Sequence, residues 1–307
     1  MKLALFVGLG IFCVLYVAVL VIAVLRARAG GGSRVAPRLF DVALGFVACF
    51  FDTLGIGSFA PTTAALKLHG QVADEKIPGT LNVGYTLPTI AQAFIFIAIV
   101  VVDLRTLVLM IGASVLGSWL GAGFVAEAPR RKIQIWMGFA LLAAAAIFLM
   151  QIFQLTPGGG AAQELAGWKL AAGLAGNFIL GMLMEVGVGL YAPCMILVSL
   201  LGMSPQSAFP IMMGSCAFLM PVGSVRFIRS GCYSLRTTLG LGLAGVPAVL
   251  IAAFIVKSLP LAALRWLVVG VVLYAALSML RSAAVEKRAR VATVTQDAVP
   301  DGAPPAL

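Results

Sequence analysis

Charge is what this sequence has least of. In 307 residues Lys and Arg total 21 and Asp and Glu 11, so charged side chains make up 10%, against about a quarter in an ordinary soluble domain. A surface so poor in charge cannot face water on most sides, and lipid is the solvent that fits it. Histidine occurs once, and the five cysteines, at positions 13, 49, 194, 216 and 232, include no CxxC pair. Those absences exclude a disulfide framework and a dedicated metal site, and no cofactor is expected. Nothing resembles a phosphate-binding Gly-Lys-Ser/Thr loop, a nucleophile–base pair or a paired-carboxylate hydrolase. ATP-driven transport and hydrolysis therefore lack their chemistry, and the chain reads as a non-enzyme. The net charge of +10 is not a nucleic-acid footprint, because the cations sit in short loops and the tail, away from any face with stacking aromatics.

Long apolar runs supply what is there. Hydrophobic residues are 62% of the chain, and segments 3–25, 107–126, 133–155 and 261–280 each offer about 20 largely uncharged residues, enough to cross a hydrocarbon core of roughly 30 Å. The first of them follows Lys2 and imitates a secretory signal, but it is longer than a signal's apolar region and ends at Arg26 and Arg28 with no small-residue cleavage pattern. It reads as a retained first helix. Residues 282–307 mix charge, proline and small residues and read as a disordered tail.

Self-similarity is the most informative feature. Gly55-Ile56-Gly57-Ser58-Phe59-Ala60-Pro61 matches Gly187-Val188-Gly189-Leu190-Tyr191-Ala192-Pro193 at a spacing of 132 residues. The same ungapped register carries Leu68 onto Leu200, Gly70 onto Gly202, Pro78 onto Pro210 and Leu87 onto Leu219. The chain thus divides into an N-terminal helix and basic loop (1–38), a first repeat (39–155), a linker (156–169), a second repeat (170–281) and the tail (282–307). Each repeat opens with an apolar stretch of about 30 residues broken near its middle by the Gly-rich heptad. Broken segments at membrane depth are tolerated where the backbone is buried in protein or lines a cavity, and a pair of them in matching halves marks a transporter's binding site.

The long stretches, 39–68 and 170–201, have two readings. If each crosses once, nine spans result and the Arg130-Arg131-Lys132 cluster falls outside, against the positive-inside rule. If each is a re-entrant hairpin, seven spans remain, at 3–25, 79–101, 107–126, 133–155, 207–228, 237–256 and 261–280, and every basic cluster is cytoplasmic, as is the C-terminus. Three full spans then separate equivalent points, so the repeats are inverted. The expected fold is an all-α polytopic membrane protein with two Gly/Pro-broken repeats and seven to nine spans.

Pro61 and Pro193 are expected in the first turn of the helix leaving each break. The amides of Thr62, Thr63, Cys194 and Met195 would then turn their positive end toward the break, which suits an anion. Gly55, Gly57, Ser58, Gly187, Gly189 and Tyr191 complete this candidate substrate site; the competing reading of the glycines is close helix packing. Asp52 and Glu185 are the acids placed deepest, and carboxylates at that depth serve as proton relays or coupling-ion ligands, unless either lies at an interface and is solvated. Asn82, Tyr85, Thr86 and Gln92 in one repeat, with Ser215 and Cys216 in the other, form a second polar group that interhelical hydrogen bonding explains equally well. Arg226 either counters an anion or, the favoured reading, snorkels toward the cytoplasm from its span end; His69 is read as a surface residue in a solvated loop with Gln71, Asp74, Glu75 and Lys76, over a titrating gate.

The two Gly-x-Gly-x-x-Ala-Pro breaks, each followed by a polar turn and a span opening at Pro78 or Pro210, resemble the sulfite exporter TauE/SafE permeases over about residues 39–280. The resemblance implies a permease of the bacterial cytoplasmic membrane moving sulfite, sulfonates or other small organic anions, coupled to an ion gradient. This chain has Gly-Ile-Gly-Ser at its first break where family members often carry a richer glycine run. The partners expected are a small anion and the lipid bilayer, with a homo-oligomer left open. A passive anion channel or a membrane scaffold without transport is the competing class of function.

Overall fold

The computed structural model describes residues 2–29, 35–55, 57–155, 160–187 and 189–255, with isolated positions 273, 277, 280, 281 and 284. The span expected at 261–280, the tail, Ile56 and Val188 otherwise lie outside the described residues. Within them the chain is all-helical: α1 (Lys2–Ala29), α2 (Leu39–Thr53), α3 (Phe59–His69), α4 (Ile77–Ile99), α5 (Leu104–Ala126), α6 (Arg130–Ile152), α7 (Gly167–Met184), α8 (Tyr191–Leu200), α9 (Ala208–Ser230) and α10 (Leu235–Ile255). Six of these, α1, α4, α5, α7, α9 and α10, are long and apolar enough to cross a membrane. α7, at 18 residues, is a difference from the seven-span reading, in which residues 170–201 held no crossing helix. α2, which precedes the other Gly-rich break, has 15 residues.

Local chemistry sets the helix ends. Asp41 reaches back to the amide of Arg38 at 3.3 Å and starts α2; Asp103 accepts the Thr106 amide at 2.8 Å and starts α5. Gly70 and Gly231, at φ 63 and 70, close α3 and α9 in the left-handed conformation that lets a helix stop sharply. The turn before α4 is not the solvated loop expected. Asp74 is buried there, paired with Lys67 at 2.7 Å and accepting from Gln134 at 2.9 Å. His69 at its edge is exposed and stacks on Phe40.

Packing is long-range. α2 lies against α10 and α7 against α5, while α4 packs on α9 and on α10, and α5 on α9. Small residues bring the first two pairs close: a Cβ on Gly45 would come within 2.6 Å of the Leu241 Cα, and one on Gly181 would strike the Ser114 carbonyl. Without a hydrophobic drive between helices in lipid, such backbone approach is the main source of helix–helix affinity. α4 and α9 form the buried centre and run antiparallel, since Gly79 faces Phe227, Thr86 faces Ser224 at 3.3 Å, and Gly214 faces Ile97. Pro88 in α4 and Pro221 in α9 each interrupt helical hydrogen bonding near the middle of these helices.

Candidate functional site

Both breaks end in one small cavity of about 40 Å³. That space exceeds the one probe sphere a water needs and suits a solute of a few heavy atoms. Its lining is paired at the repeat spacing of 132 residues: Asp52 with Met184, Gly57 with Gly189, Ser58 with Leu190, Phe59 with Tyr191 and Ala60 with Ala192. Pro193, Thr89 from α4, Cys216 from α9 and Ile147 from α6 complete the wall.

The break geometry follows from its glycines. Gly55 and Gly187, at φ 84 and 99, turn the chain out of α2 and α7, and Gly57 at φ 89 turns it again into α3. α3 begins at Phe59 and α8 at Tyr191, so Pro61 and Pro193 occupy the third helical position, within the expected first turn. The amides are displaced from expectation. Thr62 donates to the Ser58 carbonyl at 3.1 Å and Cys194 to that of Leu190 at 2.9 Å, and both are thereby consumed by their own helices. The amides without a partner inside the helix are the earlier ones, of Phe59 and Ala60 and of Tyr191 and Ala192, and these four residues line the cavity. Leu190, which caps α8, has no side-chain acceptor to offer them.

Asp52 is the one carboxylate on the wall, and it is buried. Gln92 Nε2 donates to Asp52 Oδ2 and to Thr53 Oγ1, each at 3.0 Å, and the Tyr191 hydroxyl donates to Gln92 Oε1 at 2.5 Å. One amide thus joins the acid of the first break to the aromatic of the second. In the sequence Gln92 belongs to the second polar group, and Thr89 and Met184 stand in no motif. A lone glutamine in an apolar span was the signal available for the first, and the repeat register, applied to Asp52, pointed to Met184.

Of the other candidates, Asp52, Gly57, Ser58, Gly189, Tyr191 and Pro193 come together on the cavity wall, while Gly55, Pro61, Thr62, Thr63, Gly187, Cys194, Asn82, Ser215 and Glu185 do not line it. Thr62 hydrogen-bonds Tyr85 at 2.6 Å behind the first break. Thr63 and Cys194 are buried within their helices. Gly55 faces Phe209 and Gly187 faces Met137. Asn82 donates to the Pro78 carbonyl at 3.1 Å, and Ser215 accepts from Asn177 at 3.0 Å. Glu185, fully buried, accepts from Ser118 at 2.5 Å and packs against Gly223, with its second oxygen unpartnered.

Residues 169–304 match the model of a family described as Sulfite exporter TauE/SafE. The family that the two motifs resemble is thus the family whose model the chain matches, over the part that carries the second break. No curated protein and no solved structure matches the chain. The family is one of membrane transporters, and with several apolar helices of spanning length the chain is a multi-pass membrane protein.

Proposed function

We propose that the protein is a secondary transporter that moves a small anion, of the sulfite or sulfonate class, together with a proton, across the bacterial cytoplasmic membrane. The observation that carries this reading is the single cavity walled by both breaks at a constant register. Two helix N-termini open on it, and their amides supply the partial positive charge that an anion needs where no cation lines the wall.

The repeats are inverted in this reading. Exchanging α2 for α7, α3 for α8, α4 for α9 and α5 for α10 carries each helix pairing onto another: α2 with α10 becomes α7 with α5, and α4 with α10 becomes α9 with α5. Because the exchanged helices α4 and α9 run antiparallel, the two-fold axis relating them is perpendicular to both. For helices that span a bilayer, that axis lies in the membrane plane, the arrangement on which alternating access is built.

Asp52 couples the proton. An anion in so small a cavity lies about 4 Å from the carboxyl, where repulsion between two unit charges is about 4 kcal/mol at an effective dielectric of 20. That is roughly a thousandfold in affinity, so the anion binds well only when Asp52 holds a proton, and the two cross together. Glu185, one residue beyond the wall, is the second candidate for this role.

The test is uptake of a sulfonate or sulfite into proteoliposomes of the purified protein under an imposed proton gradient. Accumulation above the external concentration is expected, and it is lost in the Gly57→Leu/Gly189→Leu variant. Flux that only equilibrates identifies a passive channel, and an absence of flux with every sulfur oxyanion leaves a membrane scaffold; either result overturns the proposal.

A further inference from the structure

A second cavity lies outside the break region, at the end of α5 and the start of α6. Its volume is about 440 Å³, and Trp119, Gly123, Lys132 and Arg226 stand on its wall. The Arg226 guanidinium is held in place: it lies over the Trp119 ring at 4.9 Å, and it fills the space that a Cβ on Gly123 would occupy. Glu127 is the one carboxylate among the lining residues, so cations outnumber anions there by two to one. The buried Glu185 lies against Gly223, one turn before Arg226 on α9. Arg131 precedes Lys132 in the first turn of α6.

This cavity runs into another. Phe124 and Trp136 line both, and the neighbour, about 520 Å³, is walled otherwise by apolar residues, among them Phe139, Met182 and Val186. It climbs α6 from Trp136 through Phe139 to Ala143, a rise of about 10 Å at 1.5 Å per residue, directed away from the basic end and into the apolar length of the helix. Trp119, at 50% exposure, and Phe124, at 73%, open outward at the junction. The groove is polar and cationic at the helix ends and apolar along the helix, which is the polarity of a lipid molecule standing in its leaflet.

We propose that this continuous groove holds one anionic phospholipid, with the phosphate against Arg226 and Lys132 and an acyl chain along Trp136 and Phe139. A guanidinium held by an indole and a glycine has its remaining donors preset for phosphate oxygens, and tryptophan belongs at the headgroup level. Such basic pockets between spanning helices select anionic headgroups over zwitterionic ones. The site is independent of the transport cavity, and its readout is lipid retention, not flux.

The experiment uses delipidated, purified full-length protein in detergent. Thermal unfolding is followed on titration with phosphatidylglycerol, with phosphatidylcholine of the same chains, and with soluble glycerol phosphate, and lipid retention is read by native mass spectrometry. Phosphatidylglycerol is expected to raise the midpoint and to be retained one per chain, with phosphatidylcholine far weaker. Removing one cation, in Lys132→Gln, weakens retention about fivefold, and Arg226→Gln/Lys132→Gln weakens it about thirtyfold. Because Lys132 is exposed, its single variant stays informative if the double variant fails to fold. Equal stabilisation by phosphatidylcholine means an unselective belt lipid and overturns the proposal. So does a full shift with glycerol phosphate alone, which makes the groove a vestibule for soluble anions, or unchanged retention in Lys132→Gln.

Discussion

The hydroxyl of Tyr191, at the start of α8, donates to the side-chain carbonyl of Gln92 in the middle of α4, and through that amide it is tied to Asp52 at the end of α2. The two breaks are therefore not independent walls. Gln92→Leu removes one partner from each of Asp52, Thr53 and Tyr191, whereas Tyr191→Phe takes a partner from Gln92 alone. With a buried unmet polar group costing about 1–3 kcal/mol, Gln92→Leu is expected to lower the unfolding midpoint in detergent more than Tyr191→Phe. The double variant is expected to be no worse than Gln92→Leu alone. Strict additivity in that cycle would show that Gln92 and Tyr191 are not coupled.

The two cavity glycines, equivalent in register, differ in what they require. Gly57 is left-handed at φ 89 with open space around it, whereas Gly189 has no positive φ and a Cβ there would meet that of Phe59 at an ordinary 3.5 Å. Alanine at 57 therefore costs about 1–2 kcal/mol of backbone strain, while alanine at 189 is accommodated. Leucine at either position fills the cavity and ends flux with membrane insertion retained. Comparing flux with the amount of folded protein in the four variants checks both halves of this statement, and equal tolerance of Gly57→Ala and Gly189→Ala would contradict the first.

What could be read in advance was what depends on local pattern. Apolar runs placed α4, α5, α9 and α10 within about three residues of their observed starts, and the repeated heptad located the breaks that meet at the cavity. Pairing was not legible, because α2 chooses α10 and α7 chooses α5 through contacts such as Gly45 on Leu241, far apart in the chain. Glu185 shows the same limit at the site. One residue along a helix turns a side chain by about 100°, so Met184 faces the cavity and Glu185 faces Ser118 and Gly223. The helix-end amides were placed a residue or more too late because the exact first residue of a helix depends on the break that precedes it.

Asp103 anchors the entry to α5 and through it the approach to α7. Its carboxylate accepts from the amide and hydroxyl of Thr106, at 2.8 and 2.9 Å, and the same hydroxyl accepts from the Leu165 amide at 3.1 Å. The Thr106 amide bond, first among the causes, holds the carboxyl below its usual range. A depressed carboxyl stabilises the fold above its unfolded value, near 3.9, and that contribution is lost as pH falls through the folded value. Asp103→Ala is expected to cost about 1 kcal/mol of stability at neutral pH, and Asp103→Asn, which keeps an acceptor, less. Unfolding midpoints of the three proteins at pH 7 and pH 4 measure this, with the gap between wild type and Asp103→Asn narrowing at the lower pH.

Asp52→Asn separates the proton from the anion. Under the proposed coupling a bound anion requires a protonated carboxyl beside it, so anion affinity should fall as pH rises and an imposed proton gradient should drive accumulation. Asparagine keeps the shape, keeps an acceptor for the Gln92 amide and carries no charge at any pH. The variant should bind the anion about as well at alkaline pH as the wild type does at acid pH. It should still exchange anion for anion across the membrane, and should no longer accumulate it when a proton gradient is applied. A sulfonate is the right probe, because its own charge does not change over the range and any pH dependence belongs to the protein. If Asp52→Asn still accumulates the sulfonate with the wild-type pH profile, the coupling proton is elsewhere. The same measurement on Glu185→Gln then decides whether it rides on the acid that faces Ser118.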